Sequence, residues 1–390
     1  MTKINAYWHN SIQEISEESW KYLLEGINLP FYKWNWLKAL ETSDSVTNQT
    51  GWQPLFLSIW RGDKIIGAAP LYLKGHSYGE FIFDNCFYQL SKDLNLNYYP
   101  KLIGMSPFSP VEGYRFLISS DENEKEITSI MIQIIDQFAI ENRILSCNFL
   151  YVDPNWMKHA ESAGFSKWLN HHSVWEANSQ RNFNEYLDSF NSNQKRNIKR
   201  ERKSIKKAGL EIQATTGKDI TKPKMMKMYQ FYEDHCAKWG PWGSKYLTKS
   251  FFEELSSDRH KEEIVLFSAY KATAKEPLAM SLCVTNGQML WGRYWGSKEK
   301  IDSLHFELCY YSPIAWALEN GIRSFDPGAG GSHKLRRGFK SKPNQSLFRW
   351  YDKRMNGLIR NWLPQANELI TEEIQAINCE LPFRTEFTSI

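Results

Sequence analysis

The sequence has few cysteines and no arrangement of them that would hold a metal or form a disulfide framework. The 390 residues include six cysteines, which are scattered, form no CxxC pair and have no histidine at short spacing. Zinc sites and small disulfide-rich folds require paired cysteines at fixed spacing. We therefore predict no metal site, and free thiols in a reducing compartment.

Long apolar runs are also missing. The first twenty residues mix Lys3 and three glutamates with few apolar residues, so they contain no apolar core of a signal peptide. No later stretch approaches the ~18 uninterrupted apolar residues of a membrane span. We therefore expect a cytoplasmic protein without a membrane span.

An excess of charge of one sign is absent as well. Lysine and arginine together number 48 and the acidic residues 44, which gives a formal net charge of +4. This balance argues against a dedicated DNA-binding protein, so any contact with a polyanion must come from a local basic cluster. The length, with 42% hydrophobic and 15% aromatic residues, is sufficient for two domains.

Several catalytic signatures are missing. The sequence contains no GxxxxGK[ST] loop for ATP, no HExxH or EF-hand pattern for a metal, and no Ser-His-Asp order of a hydrolase. It also lacks a clear Q/R-x-x-G-x-G/A pyrophosphate turn, which weighs against coenzyme A. We expect no tightly bound cofactor, so that an acyl donor would act as a co-substrate.

What the sequence does contain is a weak internal duplication. Residues 55–74 and 264–285 each read as strand, turn and strand, and each is followed by an apolar-striped helix and another strand. The similar tetrapeptides AIEN (139–142) and ALEN (317–320) end the two helices. This is the order of the acetyltransferase (GNAT) core, and its repetition predicts two halves joined near residues 176–192. The alternative is chance, because any two α/β units share such a pattern.

The first half carries a long segment, residues 75–124, that is rich in Tyr, Phe, Pro and Gly. Loops of that length inside a compact domain are usually functional. We therefore predict an insertion at the mouth of the cleft, with His76, Tyr78 and Glu80 close to residues 292–340.

The densest charge cluster lies between residues 195 and 207, where eight of thirteen residues are lysine or arginine and Ile198 and Ile205 form an apolar seam. Like charges four residues apart destabilise an isolated helix, so the cluster predicts contact with the phosphates of a polyanion. The cations expected to make these contacts are Lys195, Arg196, Lys199, Arg200, Arg202 and Lys203. A solvated face balanced by acidic residues elsewhere in the fold is the alternative.

Two segments of the second half contain residues suited to chemistry. Residues 328–340 combine glycines with histidine, lysine and arginine after a predicted strand, and such a loop can hold an anion. Residues 291–296 alternate aromatic residues and glycine, which is typical of a binding wall. His305 and Glu307 stand two residues apart, so they face different sides of a helix or the same side of a strand. For His305 a structural and a catalytic role both stay open.

Five ordered segments resemble the Fem-like (FemAB-like) family of the acetyltransferase superfamily, over roughly residues 30–355. The segments are GAAPLYLKGHSYGEFIFD (67–84), YYPKLIGMSPFSPVEGYRFL (98–117), KRNIKRERKSIKKAGLEI (195–212), GRYWGSKEKIDSLHFELCYY (292–311) and DPGAGGSHKLRRGF (326–339). The resemblance implies an α/β fold of two tandem GNAT-like halves, each with a central mixed, mostly antiparallel sheet flanked by helices. The expected ranges are 1–180, 181–355 and, for a C-terminal helical extension, 356–390.

Fem proteins move an amino acid from aminoacyl-tRNA to an amine on a cell-wall precursor. The resemblance therefore implies an acyl- or aminoacyltransferase with aminoacyl-tRNA as the favoured donor and an amine as acceptor, in a cell-wall precursor or a small peptide. An acyl-coenzyme A N-acyltransferase is the alternative. A second alternative is a non-catalytic module that binds a peptidoglycan precursor or RNA.

The resemblance also assigns roles to residues. It puts Arg336 where Fem enzymes have a lysine near the reacting ester, so Arg336 would stabilise an oxyanion or a phosphate, while His305 or Glu307 would assist proton removal. The residues expected to bind substrate are His76, Tyr78, Glu80, Arg115, Arg293, Tyr294, Trp295, His333, Lys334 and Arg337. The departures from the family pattern that bear on substrate and activity are Val174, Gly330, Ser332 and Arg349.

Overall fold

The computed structural model describes residues 3–240 and 243–384 of the chain. The chain folds into two compact units, and each unit is built from two separate stretches of sequence. Unit 1 comprises Met1–His171 and Pro343–Glu372, and unit 2 comprises His172–Lys342 and Glu373–Ile390. Within the described residues, no helix combines the length and the apolar character that a membrane span needs.

Strands and helices are interspersed in the N-terminal part of the chain. In chain order they are β1 (Ile4–His9), α1 (Glu17–Leu23), α2 (Trp34–Thr42), β2 (Trp52–Pro54), β3 (Phe56–Arg61), β4 (Lys64–Ala69), β5 (Tyr72–Lys74), α3 (Asn85–Asp93), β6 (Lys101–Gly104), β7 (Leu117–Ile118), α4 (Glu124–Glu141), β8 (Ser146–Phe149), α5 (Pro154–Ser162) and β9 (Ser166–Glu176).

The C-terminal part begins with helices. In chain order its elements are α6 (Phe183–Asp188), α7 (Ser192–Lys207), β10 (Leu210–Thr216), α8 (Lys222–Ala237), α9 (Lys249–Glu254), β11 (Ile264–Lys271), β12 (Ala279–Thr285), β13 (Met289–Ser297), α10 (Leu304–Phe306), α11 (Ser312–Glu319), β14 (Ser324–Asp326), β15 (Lys340–Trp350) and α12 (Lys353–Cys379). A π-helical turn, Glu307–Tyr311, joins α10 to α11, and a 3-10 turn, Ser332–Arg337, precedes β15.

The sheet of unit 2 has the strand order β10-β11-β12-β13-β14-β9, in which β13 and β14 are parallel and the other neighbours antiparallel. One sheet of unit 1 has the strand order β2-β5-β6-β8-β15, in which only β6 and β8 are parallel. Parallel and antiparallel pairs therefore follow one another as they do in β11-β12-β13-β14-β9 of unit 2. A second sheet of unit 1 has the antiparallel order β1-β3-β4-β7. The predicted fold class, mixed and mostly antiparallel sheets flanked by helices, is confirmed.

Both predicted hairpins are present, but they differ in shape. Residues 264–285 form the single hairpin β11–β12. In unit 1 the hairpin begins earlier than predicted, at Trp52, and each of its strands is interrupted, so that it contributes β3 and β4 to one sheet and β2 and β5 to the other. A hydrogen bond from the Leu55 N–H to the Leu71 carbonyl, 2.9 Å long, bridges the interruption.

The helices that precede β8 and β14 end in the same way, at the related sequences AIEN and ALEN. The Asn142 side chain donates a 2.8 Å hydrogen bond to the Phe138 carbonyl at the end of α4. The Asn320 side chain donates an equally long bond to the Trp316 carbonyl at the end of α11. In both helices the amide occupies one of the carbonyls that a helix C-terminus leaves without an intrahelical partner.

The two units exchange their final strands, and this changes the expected division of the chain. β9 follows the first half in sequence, but its residues Trp175 and Glu176 pair with β14 of unit 2. β15 follows the second half, but Leu347–Trp350 pair with β8 of unit 1. Residues 172–180 therefore belong to unit 2 and residues 343–355 to unit 1. α12 is not a separate extension, because unit 1 includes it up to Glu372.

The interpretation of residues 75–124 as an inserted loop is wrong. This segment contains α3, and it also contains β6, which pairs with both β5 and β8 in the middle of a unit 1 sheet. Lys101, the first residue of β6, is fully buried. The segment therefore completes the unit, although its predicted position relative to residues 292–340 stays a prediction.

Candidate active site

A cavity opens in unit 2 where two parallel strands diverge. β13 and β14 pair over three residues, from Met289 opposite Ser324 to Trp291 opposite Asp326. Beyond that point Pro327 and Gly328 lead the chain away, and a cavity of about 170 Å³ lies between the separated strands. A β-carbon on Gly328, which has φ of +87°, would stand 3.0 Å from the Gly292 carbonyl oxygen, so this position favours glycine.

The strand on one side of the cavity is irregular. The register with β12 shifts between Leu282, which is opposite Tyr294, and Cys283, which is opposite Gly292. Arg293 is therefore the extra residue of a β-bulge, a feature that redirects side chains next to binding sites. Five of the predicted substrate-binding or catalytic residues line this cavity. They are Arg293, Tyr294, Trp295, His305 and Lys334.

Lys334 is the buried amine of the cavity. The 3-10 turn places it with only 3% of its surface exposed, and its Nζ donates a 2.5 Å hydrogen bond to the Gly328 carbonyl. Burial lowers its pKa to about 8, although the Asp326 carboxylate acts in the opposite direction. A buried lysine with such a pKa exists in both protonation states near neutral pH, so it can accept and return a proton.

An arginine and a carboxylate lie next to this lysine. The Arg293 and Asp326 side chains are 4% and 1% exposed, and their nearest charged atoms are 3.5 Å apart. The other oxygen of Asp326 accepts a 2.7 Å hydrogen bond from the Gly328 N–H. The carboxylate offsets the charge of Arg293, which makes burial of the guanidinium tolerable.

Aromatic rings and histidines form another wall. The His305 ring lies 4.6 Å from the Trp295 ring and 5.5 Å from the His333 ring, measured between centroids. Burial, followed by the neighbouring His333, lowers the pKa of His305 to about 3. His333 shares a 2.9 Å hydrogen bond with the Tyr310 hydroxyl, and burial also lowers its pKa. Both imidazoles are therefore neutral at physiological pH, and His305 is a weak base.

Glu307, the other predicted proton acceptor, is held by an ion pair. It begins the π-helical turn, is 3% exposed, and accepts hydrogen bonds of 2.9–3.2 Å from the Arg202 guanidinium of α7. The Ser312 hydroxyl donates a further bond of 2.9 Å. Glu307 does not line the cavity. Its contacts describe a structural link between α7 and the helix that carries His305.

The two arginines of the 3-10 turn lie outside the cavity. Arg337 is 3% exposed, pairs with Glu201 of α7 at 2.8 Å and covers the Phe306 ring at 3.4 Å. Arg336 is exposed, and its carbonyl accepts a hydrogen bond from the Gln194 side chain. Neither residue lines the cavity. The catalytic role assigned to Arg336 stays a prediction, whereas Lys334, two residues earlier, lines the cavity.

The basic helix α7 has one buried and one cationic face. Ile198 and Ile205 are buried. At 3.6 residues per turn, Arg196, Arg200 and Lys203 fall on the opposite face. The exposed cations that make no ion pair with any described residue are Arg196, Lys199, Arg200, Lys203, Lys206 and Lys207. Most of this charge is therefore available to an external anion.

The remaining two predicted polyanion contacts have partners within unit 2. Lys195 pairs with the Asp188 carboxylate. Arg202 pairs with Glu307 and lies over the Phe183 ring at 4.2 Å. For these two cations the alternative prediction, balance by acids of the same fold, describes the structure better.

Four predicted substrate-binding residues belong to unit 1. His76 receives a 3.2 Å hydrogen bond from the Tyr78 N–H on Nδ1, so its Nε2 carries the proton and donates to the Thr50 carbonyl at 3.0 Å. Tyr78 is 66% exposed. The Glu80 carboxylate is buried against Lys101 at 2.8 Å, and Arg115 pairs with Glu124. Their role in substrate binding stays a prediction.

Several residues in or next to the cavity escaped prediction. Asp326, which pairs with the cavity residue Arg293, ends a strand directly before Pro-Gly, and a carboxylate at a strand end was a usable signal. Tyr310, Cys283 and Cys309 line the cavity, but nothing in their sequence context distinguishes them from core residues. Among the departures from the family pattern, Val174 is buried, and Arg349 pairs with Asp136 of unit 1 at 2.9 Å. Gly330 has φ of +73° and open space around it, so its backbone suits glycine.

The recurring strand order, with a diverging parallel pair in each unit, is the architecture of tandem GNAT-like halves. The solved C-terminal domain of a putative lysylphosphatidylglycerol synthetase from Agrobacterium fabrum shares the fold, with 10% identity, a TM-score of 0.52, and coverage of 91% of this chain and 97% of that domain. FemX aligns with 12% identity and a TM-score of 0.49, covering 91% of this chain and all of its own. A tandem GNAT protein from the clavulanic acid biosynthesis pathway aligns with 9% identity and a TM-score of 0.45, covering 89% of this chain and 97% of its own.

The sequence matches the FemAB-like family, described as peptidoglycan biosynthesis/recognition, over residues 11–385. The chain therefore belongs to that family, and the resemblance seen in its five ordered segments is confirmed. A comparison with curated proteins finds no match.

Proposed function

We propose that the protein transfers an aminoacyl group from aminoacyl-tRNA to an amine acceptor, and that the transfer takes place in the cavity of unit 2. The observation that carries this proposal is the buried amine of Lys334, with its lowered pKa of about 8, beside Arg293. The family description supports a cell-wall precursor as acceptor.

Lys334 moves the proton. Its neutral Nζ takes a proton from the acceptor amine as the amine nitrogen forms a bond to the ester carbonyl carbon. The ester C–O bond then breaks, and the Lys334 ammonium returns the proton to the leaving oxygen of the donor. The products are an amide and a free hydroxyl, and Lys334 is neutral again. Proton transfer by a positioned group typically contributes about 10²–10⁴-fold to a rate.

Arg293 stabilises charge. Attack on the carbonyl places a negative charge on its oxygen, and a buried guanidinium fixed by a bulge and a carboxylate needs little reorganisation to meet it. His305 and His333, which are neutral, help to shape the site. No covalent intermediate on the enzyme is required, because holding donor and acceptor together supplies a large part of the acceleration.

The exposed face of α7 supports the choice of donor. Six exposed cations of this helix, none of which forms an ion pair with a described residue, offer a surface for phosphates, and each contact would release counterions from a nucleic acid. A small thioester donor makes no use of a surface of this extent.

The test compares donors and a matched pair of variants. The protein is incubated with charged total tRNA or with acetyl-coenzyme A in a metabolite extract, and consumption of the donor is measured. We expect consumption of aminoacyl-tRNA, lowered at least about 100-fold by Lys334→Met and unchanged by Lys300→Met, which alters an exposed lysine of the same unit. Consumption of acetyl-coenzyme A alone would establish the alternative donor, and consumption of neither would reject the transferase.

A further inference from the structure

Unit 2 has a second cavity, of about 660 Å³, at the outer edge of its sheet. It is lined by Arg202, Ile205 and Lys206 of α7, by residues 209–213, and by Ala272 and Glu307. We call it the edge cavity. It shares no lining residue with the active-site cavity. Its volume is in the range of about 300–1,000 Å³ that is typical of ligand pockets.

The edge cavity follows the edge of a strand. β10 is the terminal strand of the unit 2 sheet, so no strand within the described part of the chain pairs with its outer side. Side chains of a strand alternate between two faces, and in β10 Leu210 and Ile212 are at least half-buried while Glu211 and Gln213 are exposed. A cavity on one face would be lined by every second residue. Because residues 209–213 line it consecutively, the cavity also meets the edge of β10, where main-chain N–H and C=O groups face outward.

An arginine offers a free donor at one end of the edge cavity. Glu307 accepts hydrogen bonds from Nε and Nη2 of Arg202, at 2.9–3.2 Å. Nη1 of this arginine makes no hydrogen bond with a described residue, and the side chain is 36% exposed. The planar guanidinium has a second pair of donors, on Nη1 and Nη2, that matches the two oxygens of a carboxylate. Arg202 can therefore hold a second carboxylate besides that of Glu307.

The charge that would balance this second carboxylate comes from Lys206. The charge of Arg202 is already offset by Glu307. Lys206 lies one helical turn further along α7, is exposed, and forms no ion pair with a described residue. Two cations and one buried carboxylate thus leave room for one more negative charge on this side of the cavity.

The wall between the cations and the strand edge is apolar. Ile205 and Leu210 are buried and Ile212 is half-buried. An apolar group of a ligand would lose water by packing on these side chains. A simple aliphatic carboxylate would use the cations and this wall, but it has no groups that could hydrogen-bond to the edge of β10.

We propose that the edge cavity binds a short peptide that has a free C-terminal carboxylate and an apolar side chain. The peptide pairs with β10 as an additional strand, its carboxylate contacts Arg202 and Lys206, and its side chain packs on Ile205 and Ile212. Addition of a strand to a sheet edge obtains affinity from main-chain hydrogen bonds and specificity from side-chain pockets. The site is separate from the acyl transfer proposed above and does not depend on it.

The experiment measures binding of three small probes to the full chain by calorimetry. They are N-acetyl-leucyl-leucine, its C-terminal amide, and octanoate. We expect the free acid to bind at least about tenfold more tightly than the amide, because hydrogen bonds to charged groups are the stronger ones. It should exceed octanoate by a similar factor of about ten, because octanoate makes no main-chain hydrogen bonds.

Two pairs of variants locate the peptide. Lys206→Met should weaken binding of the free acid about tenfold, whereas Lys207→Met, at a neighbouring exposed lysine that does not line the cavity, should not. Ala272→Trp should reduce the affinity at least about tenfold by filling the cavity, whereas Ala274→Trp, in the same turn but outside the lining, should not. All four positions are exposed, so the variants should fold.

The outcomes are distinct. Preference for the free acid, lost in Lys206→Met and Ala272→Trp alone, supports the site. Equal binding of acid and amide would overturn the carboxylate contact, and octanoate binding as tightly as the peptide would overturn strand pairing. Peptide that binds all four variants like the wild type occupies another place, and absence of binding at millimolar peptide would reject the site. None of these results depends on whether the protein transfers an aminoacyl group.

Discussion

The two units contain the same pair of diverging parallel strands, but only one of them leaves a gap there. In unit 1, β6 and β8 pair from Leu102 to Gly104 and then separate. Tyr114 fills the space, since a β-carbon on Gly104 would stand 2.2 Å from its ring. The Tyr114 ring is fully buried and lies 5.4 Å from the ring of Phe149. The corresponding space in unit 2 is the cavity that Arg293 and Lys334 line.

This difference shows that strand divergence by itself is a property of the scaffold. Whether it becomes a site depends on the side chains that follow the strands: a tyrosine turns it into core, and glycine with a buried lysine turns it into a polar cavity. The same fold can therefore contribute structure in one unit and chemistry in the other.

The two units also differ in the surroundings of a buried lysine. Lys74 in unit 1 is fully buried, donates to the Tyr78 carbonyl at 3.2 Å and lies 3.6 Å from the centre of the Trp52 ring. Burial lowers its pKa to about 6. The pKa of Lys334 in unit 2 is also lowered, but this lysine lines a cavity. The first lysine is part of the packing, and the second faces a space that a substrate can occupy.

The largest effect that would separate a lysine at an active site from a lysine in the core is the pH dependence of transfer. In the proposed mechanism Lys334 is the base, which it can be only when neutral, and its pKa is about 8. We expect the transfer rate to rise about tenfold per pH unit below that value and to level off above it, and to fall by about 10²–10⁴-fold in Lys334→Met. Rate measurements from pH 6 to 9 check this. A residual rate in the variant with an unchanged pH profile would assign the proton transfer to another group.

A second prediction tests whether Tyr114 closes the space between the diverging strands of unit 1. Tyr114→Ala should lower the free energy of unfolding by about 3–5 kcal/mol, because it leaves a cavity in a packed core. Tyr114→Phe should stay within about 0.5 kcal/mol of the wild type, since the hydroxyl has no hydrogen-bond partner among the described residues. Urea unfolding of the full chain measures both. If Tyr114→Ala unfolded like the wild type, Tyr114 would not be a core residue.

Lys74 offers a smaller, pH-dependent test. Its folded pKa is about 6 and its ordinary value 10.5, so between these values the unfolded chain binds a proton that the folded chain does not. The stability of the wild type relative to Lys74→Met should therefore rise with pH across this window, by up to about 1.4 kcal/mol per unit. Unfolding at pH 6.5, 7.5 and 8.5 checks the sign. Parallel curves for the two proteins would mean that Lys74 is not held neutral.

The smallest effect on stability is expected at the basic face of α7, which belongs to unit 2. Replacing Arg196 and Arg200 by alanine should change the free energy of unfolding by less than about 0.5 kcal/mol, because both side chains are exposed. It should nevertheless reduce the slope of the logarithm of the tRNA binding constant against the logarithm of the salt concentration, by about 0.7 for each lost phosphate contact. Alanine at Lys218 and Lys275, exposed cations outside α7, is the control. Equal slopes for both double variants would reject the polyanion surface.

Much of the fold was predictable because it is encoded locally. The hairpin β11–β12, the helix α7 with its buried Ile198 and Ile205, and the matching ends at Asn142 and Asn320 all follow from patterns within a few residues. The error over residues 75–124 arose where β6 is short and its pairing with β8 crosses more than forty residues. Such long-range pairing depends on the other strands of the sheet, so the pattern of residues within the segment does not predict it.

The sequence by itself therefore determined the family, the fold class and the region that contains the cavity, because ordered motifs and hydrophobic periodicity are properties of the chain. Only the tertiary structure decided which unit receives β9 and β15, and which charged side chains face a cavity and which face each other. The sequence alone does not distinguish Glu307 from Lys334 as a candidate for proton transfer. Glu307 meets an arginine 105 positions away, whereas Lys334 is buried beside open space, and burial and partners at long range set the pKa and the chemistry of each.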